Sequence, residues 1–220
     1  MTISRALGLV ALVLIAIVVA VLWIDMPLAR ALARFDVARA LFRSKPLGLP
    51  ILPGISLAVL FLGLAVMVAG RPLPRWLVAG SLAAVALLTS LYVTEDVLKP
   101  IFGRVVPSVA LRGHVSGFHW LRSGSPYQSF PSGHSVQAAS VVAVMWSFYP
   151  RLRLVMLAGF AVMAGALMLG QWHYLGDILA GGLVGALAGA GVVGIWRALS
   201  GVAARRQGRG PRSGKVRRDA

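Results

Sequence analysis

Six apolar runs, each long enough or nearly long enough to cross a bilayer, constrain this chain more than any other feature of its sequence. About 20 consecutive apolar residues span the roughly 30 Å hydrocarbon core as one helix. Of the 220 residues, 58% are hydrophobic and 13% are charged, against about a quarter charged in a soluble domain. We therefore predict an all-α integral membrane protein with six transmembrane helices within residues 1–200. The runs are Ile3–Trp23, Leu47–Gly70, Trp76–Leu98, Ser132–Tyr149, Leu154–Trp172 and Leu175–Trp196.

The distribution of Lys and Arg predicts which side of the membrane each loop occupies. Cytoplasmic loops of membrane proteins carry an excess of both residues. Residues 201–220 are basic, Gly-rich and without apolar periodicity, so we expect a disordered cytoplasmic tail lying on anionic lipid headgroups. The net charge of +16 then reflects topology and lipid rather than a nucleic-acid partner. Six spans place the following basic positions on the side of the tail: Arg5, Arg71, Arg75, Arg151 and Arg153.

Two long connections fall on the opposite side and differ in character. Met26–Lys45 is basic, and its apolar residues recur mostly at helical spacing. We predict an interfacial amphipathic helix there, with an ordinary solvated basic loop as the alternative. Lys99–Pro131 contains no run that spans, and loops of this length are usually functional or disordered. We expect a long functional extracytoplasmic loop.

A stripe of small residues marks the last run. Gly181, Gly185 and Gly189 recur at four-residue spacing. Small residues at this spacing let two helices approach closely in a membrane. We interpret the stripe as a packing surface rather than a phosphate-binding loop.

Three polar clusters stand where apolar runs begin or end. With six spans all three lie on the non-cytoplasmic side, and two of them open a helix. A helix N-terminus offers free N–H groups and a dipole that favours an anion. The clusters are Lys99–Pro107, Phe130–His134 and His173–Asp177.

The residue types in the second cluster suit the binding of a phosphate group. Ser132 is a good helix N-cap, and Gly133 allows close approach of the backbone. His134 then lies beside the phosphate and can act as an acid. Taken alone, a Ser-Gly pair before a helix is usually only a cap, and a histidine at the interface is often a headgroup contact.

The third cluster supplies a nucleophile. His173 and Asp177 are four residues apart and share one helix face. Asp177 can accept one imidazole N–H, which fixes the tautomer and leaves the other nitrogen as a nucleophile. Lys99 adds a point charge for the transferred group. An ionisable residue this close to a bilayer is a candidate for a functional role.

The three clusters together resemble the signature of the type 2 phosphatidic acid phosphatase superfamily. That signature reads Lys-x6-Arg-Pro, then Pro-Ser-Gly-His, then Ser-Arg-x5-His-x3-Asp, and the resemblance covers most of residues 75–198. It implies a six-helix fold and hydrolysis of a lipid phosphate without metal or other cofactor. The absence of cysteine independently excludes zinc thiolates and cysteine nucleophiles.

The resemblance also implies a role for each matching residue. His173 would attack phosphorus and form a phosphohistidine, Asp177 would orient it, and His134 would protonate the leaving oxygen. These three are the catalytic candidates. The phosphate-binding candidates of the family pattern are Lys99, Ser132 and the N–H of Gly133.

Both arginines of the signature are substituted in this chain. Val106 stands seven residues after Lys99, and Leu167 stands six residues before His173. Arginine matters because its planar fork grips two phosphate oxygens, and loss of one oxyanion donor costs about 10²–10³ in rate. We predict that Arg104 replaces the missing clamp. Further candidates are Arg112, Arg122 and Gln171.

We therefore expect an enzyme that hydrolyses a lipid phosphate monoester or diphosphate of the phosphatidic acid, phosphatidylglycerol phosphate, undecaprenyl diphosphate or lipid A type. Its site would face the periplasm or exterior of a bacterial inner membrane. A lipid phosphotransferase and a catalytically impaired lipid-binding or regulatory protein are the alternatives. A transporter is disfavoured because the spans hold almost no ionisable residues at mid-membrane depth.

Overall fold

The computed structural model describes residues 3–35, 51–113 and 115–207. Helices make up the regular structure of this part of the chain, which contains no β-strand beyond one isolated bridge between Arg104 and Phe118. Two π-helical turns, Ala20–Ile24 and Val93–Leu98, and a 3-10 turn at Pro150–Leu152 link some of the helices. The helices are α1 (Ile3–Val19), α2 (Asp25–Leu32), α3 (Ile51–Val68), α4 (Arg75–Tyr92), α5 (Lys99–Phe102), α6 (Pro107–Ala110), α7 (Gly133–Phe148), α8 (Arg153–Leu169) and α9 (Leu175–Gln207).

Within the described residues, five helical segments are long and apolar enough to cross a membrane. They confirm a multi-pass helical membrane protein. The sixth predicted run, Ser132–Tyr149, is the helix α7, but its 16 residues extend only roughly 24 Å. The sixth crossing therefore stays a prediction. The five segments are Ser4–Leu32, Ile51–Val68, Arg75–Phe102, Pro150–Leu169 and Leu175–Val202.

The first helix is longer than the first apolar run. It continues through the π-helical turn into α2, so the predicted amphipathic segment Met26–Lys45 begins inside this helix. Residues 36–45 lie outside the described ranges, and a separate interfacial helix stays a prediction there. At the other end, the tail expected to be disordered from residue 201 is helical through Gln207. Val202, Ala203 and Ala204 favour that extension, since two of them are alanine, the best helix former; residues 208–220 lie outside the described part.

The glycine stripe of α9 is a packing surface, as predicted, and its partner is α7. A Cβ atom on Gly181, Gly185 or Gly189 would overlap a backbone carbonyl of α7 or of its cap, at Ser132, Val136 and Ser140 respectively. Only glycine permits this approach, since any side chain would separate the two helices. The stripe therefore holds the start of α7 beside the start of α9, where two of the polar clusters lie.

Candidate active site

The second and third polar clusters meet at the starts of α7 and α9. The N–H of Ser132 donates a 3.0 Å hydrogen bond to the carbonyl of Asp177, so the backbones of the two helix starts are joined directly. The imidazole rings of His134 and His173 lie with their centroids 6.0 Å apart and their planes at 69°. Both histidines are buried, with 8% and 7% of their surface exposed.

The start of α7 is formed as its sequence predicts. Ser132 has an extended backbone, and its hydroxyl accepts hydrogen bonds from the N–H of Ser135 at 3.4 Å and from the Ser135 hydroxyl at 3.1 Å. A Cβ on Gly133 would overlap the Glu95 carboxylate and would lie 3.5 Å from the Lys99 ammonium. Glycine at this position therefore lets the π-helical turn after α4 and the start of α5 pack against the N-terminus of α7.

The tautomer of His173 is fixed by a backbone carbonyl. Its Nδ1 lies 2.9 Å from the carbonyl oxygen of Ser129. Because a carbonyl only accepts, Nδ1 carries the proton and Nε2 keeps its lone pair. We expected Asp177 to accept this hydrogen bond, but its Oδ2 is 3.7 Å from Nδ1. Nε2 is the nitrogen that stays free, and the carbonyl of Ser129 rather than the carboxylate of Asp177 fixes this tautomer.

Asp177 is fully buried, and other donors occupy its carboxylate. Oδ2 accepts from the Ser129 hydroxyl at 2.6 Å and from the N–H of Tyr174 at 2.8 Å. The second contact is one half of a capping box, since Tyr174 precedes the first residue of α9. Oδ1 accepts from Arg104 at 2.5 Å. Asp177 thus joins the turn before α9, the loop before α7 and Arg104.

Arg104 is held between two carboxylates rather than open to a phosphate group. Its Nη1 bonds Asp177, and its Nη2 donates to Oδ2 of Asp25 at 2.7 Å. Its guanidinium also lies over the ring of Tyr174 at 4.2 Å and over that of Phe118 at 4.9 Å. Burial alone lowers the pKa of the Arg104 guanidinium, but the carboxylates of Asp177 and Asp25 raise it above its ordinary value. Both ends of the guanidinium fork are thus engaged by carboxylates, and the clamping role predicted for Arg104 stays a prediction.

Asp25 is a site residue that the sequence interpretation missed. It lies on α2, is 1% exposed, and accepts the N–H of Gly176 at 2.9 Å as well as Arg104. The carboxylate thus satisfies a free N–H in the first turn of α9, where the helix dipole favours negative charge. A signal was present, because an acidic residue directly following an apolar run marks a functional candidate. Ser129 was also missed, and its position just before Phe130 carries no comparable signal.

Lys99 pairs with Glu95, which lies four residues earlier on the same face of the helix. Its Nζ lies 2.6 Å and 2.8 Å from the two carboxylate oxygens. The Lys99 side chain is 11% exposed and that of Glu95 is 37% exposed. An ammonium has three donors, so one remains for a ligand beside the N-terminus of α7.

Val106 and Leu167, the residues at the two positions where the signature has arginine, make backbone hydrogen bonds within the fold. The N–H of Val106 donates to the carbonyl of Pro126, and the carbonyl of Leu167 accepts from the N–H of Trp172, each at 3.0 Å. Arg122 stacks on Tyr127 at 5.6 Å. Val106 and Leu167 themselves therefore contribute backbone hydrogen bonds and no cation.

His134 has no hydrogen-bond partner within the described part of the chain. Both of its ring nitrogens are buried and unbonded. Since buried polar atoms are normally paired, the free nitrogens beside His173 make this space a candidate position for a substrate group. In the described ranges, no group of three or more His, Asp or Glu side chains is spaced to hold a metal ion.

Apolar helices around a buried pair of histidines and an aspartate define a multi-pass membrane protein with a polar site at its helix ends. The chain belongs to the PAP2 superfamily, whose family model matches residues 75–200. This confirms the resemblance seen in the three clusters and supports a phosphoester hydrolase. The matched region includes Lys99, His134, His173 and Asp177, and it leaves out Asp25. Neither the comparison with curated proteins nor that with solved structures produced a match.

Proposed function

We propose that the protein hydrolyses a phosphate monoester or diphosphate carried by a membrane lipid, through a phosphohistidine on His173. The observation that carries this proposal is the 2.9 Å contact between Nδ1 of His173 and the Ser129 carbonyl. It leaves Nε2 as the free nucleophile, on a ring adjacent to the unbonded ring of His134. A nucleophile and an acid that share one buried space are what phosphoryl transfer requires.

The reaction has two steps. In the first, Nε2 of His173 attacks the terminal phosphorus, and the bond between that phosphorus and the leaving oxygen breaks. The leaving oxygen is the ester oxygen of a monoester or the bridging oxygen of a diphosphate, and protonated His134 gives its proton to it. In the second, water attacks the phosphohistidine, neutral His134 accepts the water proton, and the bond between phosphorus and Nε2 breaks. Inorganic phosphate leaves, and both histidines return to their initial states.

The phosphate oxygens would be held at the start of α7. The candidates are the free donor of Lys99, the hydroxyl of Ser132 and the N–H of Gly133. The dipole of α7 adds a favourable field at this point. Because Arg104 bonds Asp177 and Asp25, we assign it to positioning the site and not to the phosphate.

We also propose that the site faces the periplasm or exterior and that α7 is the sixth crossing. The support is the arrangement of the chain, since the three polar clusters lie at helix ends opposite to Arg75, Arg151 and Arg153. Positive charge of this kind marks cytoplasmic loops. The carboxyl end of α9 and the basic tail would then be cytoplasmic, in the inner membrane of a bacterium.

The direct test gives purified protein each of four lipids in detergent with a chelator present. The lipids are phosphatidic acid, phosphatidylglycerol phosphate, undecaprenyl diphosphate and a phosphorylated lipid A. We expect phosphate release from at least one, abolished in His173→Ala, and an acid-labile phosphoryl group on the wild-type protein during turnover. Labelled phosphate found on a second lipid instead of in solution would identify the phosphotransferase alternative.

One observation favours a second candidate function, a lipid-binding protein without activity. Val106 and Leu167 replace the signature arginines, and Arg104 is occupied by two carboxylates. Folded protein that releases no phosphate from any of the four lipids, yet retains one of them through purification, would establish this alternative.

A further inference from the structure

A cavity of about 360 Å³ lies beside the turn that leads to His173. It is open on one side and is lined by the end of α2, by α6 and the turn after it, and by the turn that follows α8. Its polar lining consists of Arg30, Ser108, Arg112 and Gln171. The volume lies within the range of small-molecule sites.

Gln171 lines this cavity, and its side-chain amide has a hydrogen-bond acceptor that is left without a partner in the described part of the chain. It is 3% exposed and adopts a left-handed backbone conformation with φ of 56°, which is uncommon outside glycine. Its Nε2 donates to the carbonyls of Ala29 at 3.3 Å and Met168 at 3.2 Å, which fixes the amide orientation. Its Oε1 is buried and has no partner among the described residues. A ligand that satisfies this oxygen must bring an O–H or N–H donor.

The charge of the cavity favours an anion. Arg30 comes from α2 and Arg112 from the turn after α6, so two separate elements contribute an arginine to the lining of the same space. Within the described ranges, neither has an ion pair and none of the residues that line the cavity is acidic. Guanidinium forks match the oxygens of a phosphate group. Arg104, by contrast, is neutralised by Asp25 and Asp177.

We propose that this cavity binds a phosphate group with a neighbouring hydroxyl, the chemistry of a glycerol phosphate. Arg30 and Arg112 would hold the phosphate oxygens, and the hydroxyl would donate to Oε1 of Gln171. The ligand is either a phosphatidylglycerol headgroup or water-soluble glycerol phosphate. The site is distinct from the phosphate position beside His134, and its occupation requires no chemistry at His173.

The cavity is connected to the catalytic turn through the backbone. The carbonyl of Gln171 accepts from the N–H of Ser108 at 3.2 Å, and Gln171 lies two residues before His173. A ligand that orders Gln171 therefore orders the turn that presents His173. Trp172 lies between them and gives a fluorescence signal for binding.

The test uses His173→Ala protein, so that binding is measured without turnover. The protein is placed in phosphatidylcholine nanodiscs and titrated with sn-glycerol 3-phosphate, inorganic phosphate and glycerol, by calorimetry and tryptophan fluorescence. A second arm adds phosphatidylglycerol to the nanodiscs and counts retained lipid by native mass spectrometry. Binding in the first arm identifies the soluble ligand, and retention in the second identifies the headgroup.

Substitutions then locate the ligand. We expect Arg30→Gln and Arg112→Gln to weaken binding roughly tenfold or more, as loss of a charged hydrogen bond does. Arg151→Gln makes the same charge change at the opposite end of α8 and should leave binding intact. Gln171→Asn tolerates the left-handed backbone but withdraws the acceptor, so it should remove the preference for glycerol phosphate over inorganic phosphate.

Lys99→Gln separates this site from the catalytic one. We expect binding to persist in that variant, since Lys99 does not line the cavity. Loss of binding in Lys99→Gln, or full binding in both Arg30→Gln and Arg112→Gln, would place the ligand elsewhere and overturn the proposal. So would the absence of binding in both arms. Both arginines are exposed, so these variants should fold even if Gln171→Asn does not.

Discussion

Arg104 donates a 2.7 Å hydrogen bond to Asp25, and this contact ties the catalytic region to the first helix of the chain. Asp25 also accepts the N–H of Gly176 in the first turn of α9, while Arg104 bonds Asp177 one residue later. The four groups form a closed network with every member buried or nearly so. The first helix lies outside residues 75–200, the part that matches the family model. Part of the site is therefore built by residues that this match does not include.

Asp25→Asn should lower both stability and turnover. Removing one partner of a buried ion pair typically lowers the free energy of unfolding by about 3–5 kcal/mol. Arg104 would then keep Asp177 as its one carboxylate partner among the described residues. Because Asp25 touches no substrate in our scheme, we expect kcat to fall and KM to change little. Thermal unfolding and steady-state kinetics measure the two effects. Asp96→Asn removes an exposed carboxylate and should be neutral; an Asp25→Asn enzyme with wild-type melting temperature and kcat would contradict the positioning role.

Arg104→Gln distinguishes a positioning arginine from a phosphate clamp. A positioning role predicts a fall in kcat with KM nearly constant, whereas a clamp that binds substrate and transition state equally predicts a rise in KM. We expect the first pattern. Since Arg104 and Asp25 are in contact, the double variant with Asp25→Asn should be much less impaired than the sum of the two single variants. Additive effects would show that the two residues act separately.

Glu95→Gln should strengthen phosphate binding at the catalytic site. Glu95 occupies two of the three donors of Lys99 and approaches the start of α7, where the anion is proposed to lie. Its negative charge opposes a phosphate there and competes for Lys99. We expect a lower inhibition constant for inorganic phosphate in Glu95→Gln and a higher one in Lys99→Gln. Asp96→Asn changes the next residue along the chain and is the control, with an unchanged inhibition constant expected. An unchanged inhibition constant in Glu95→Gln and in Lys99→Gln as well would show that Lys99 does not bind the phosphate.

The sequence was sufficient to predict the parts of the site that follow from helix geometry. The N-cap at the start of α7 and the use of the α9 glycines as a packing surface both follow from spacing within one helix. The partners of Arg104 and the acceptor for His173 could not be predicted in this way. They depend on contacts between residues far apart in the chain, such as Asp25 with Arg104, and on a main-chain oxygen that no residue type reveals. The sequence prediction for Arg104 considered only the vacant Val106 position and not the carboxylates that the fold brings nearby.

Gly133→Ala should disable the site through a local collision that a second substitution relieves. The added Cβ would overlap the Glu95 carboxylate and lie 3.5 Å from the Lys99 ammonium, so the pair must move away from the start of α7. We expect kcat/KM to fall by about 10²-fold, the cost of losing one preorganised donor. In Glu95→Ala/Gly133→Ala the obstructing carboxylate is gone, Lys99 can return, and most of the activity should be recovered. Gly159→Ala, on α8 with open space around the position, is the matched control and should retain wild-type activity. A double variant as impaired as Gly133→Ala alone would mean that the glycine is needed for direct backbone contact with phosphate and not for the approach of Lys99.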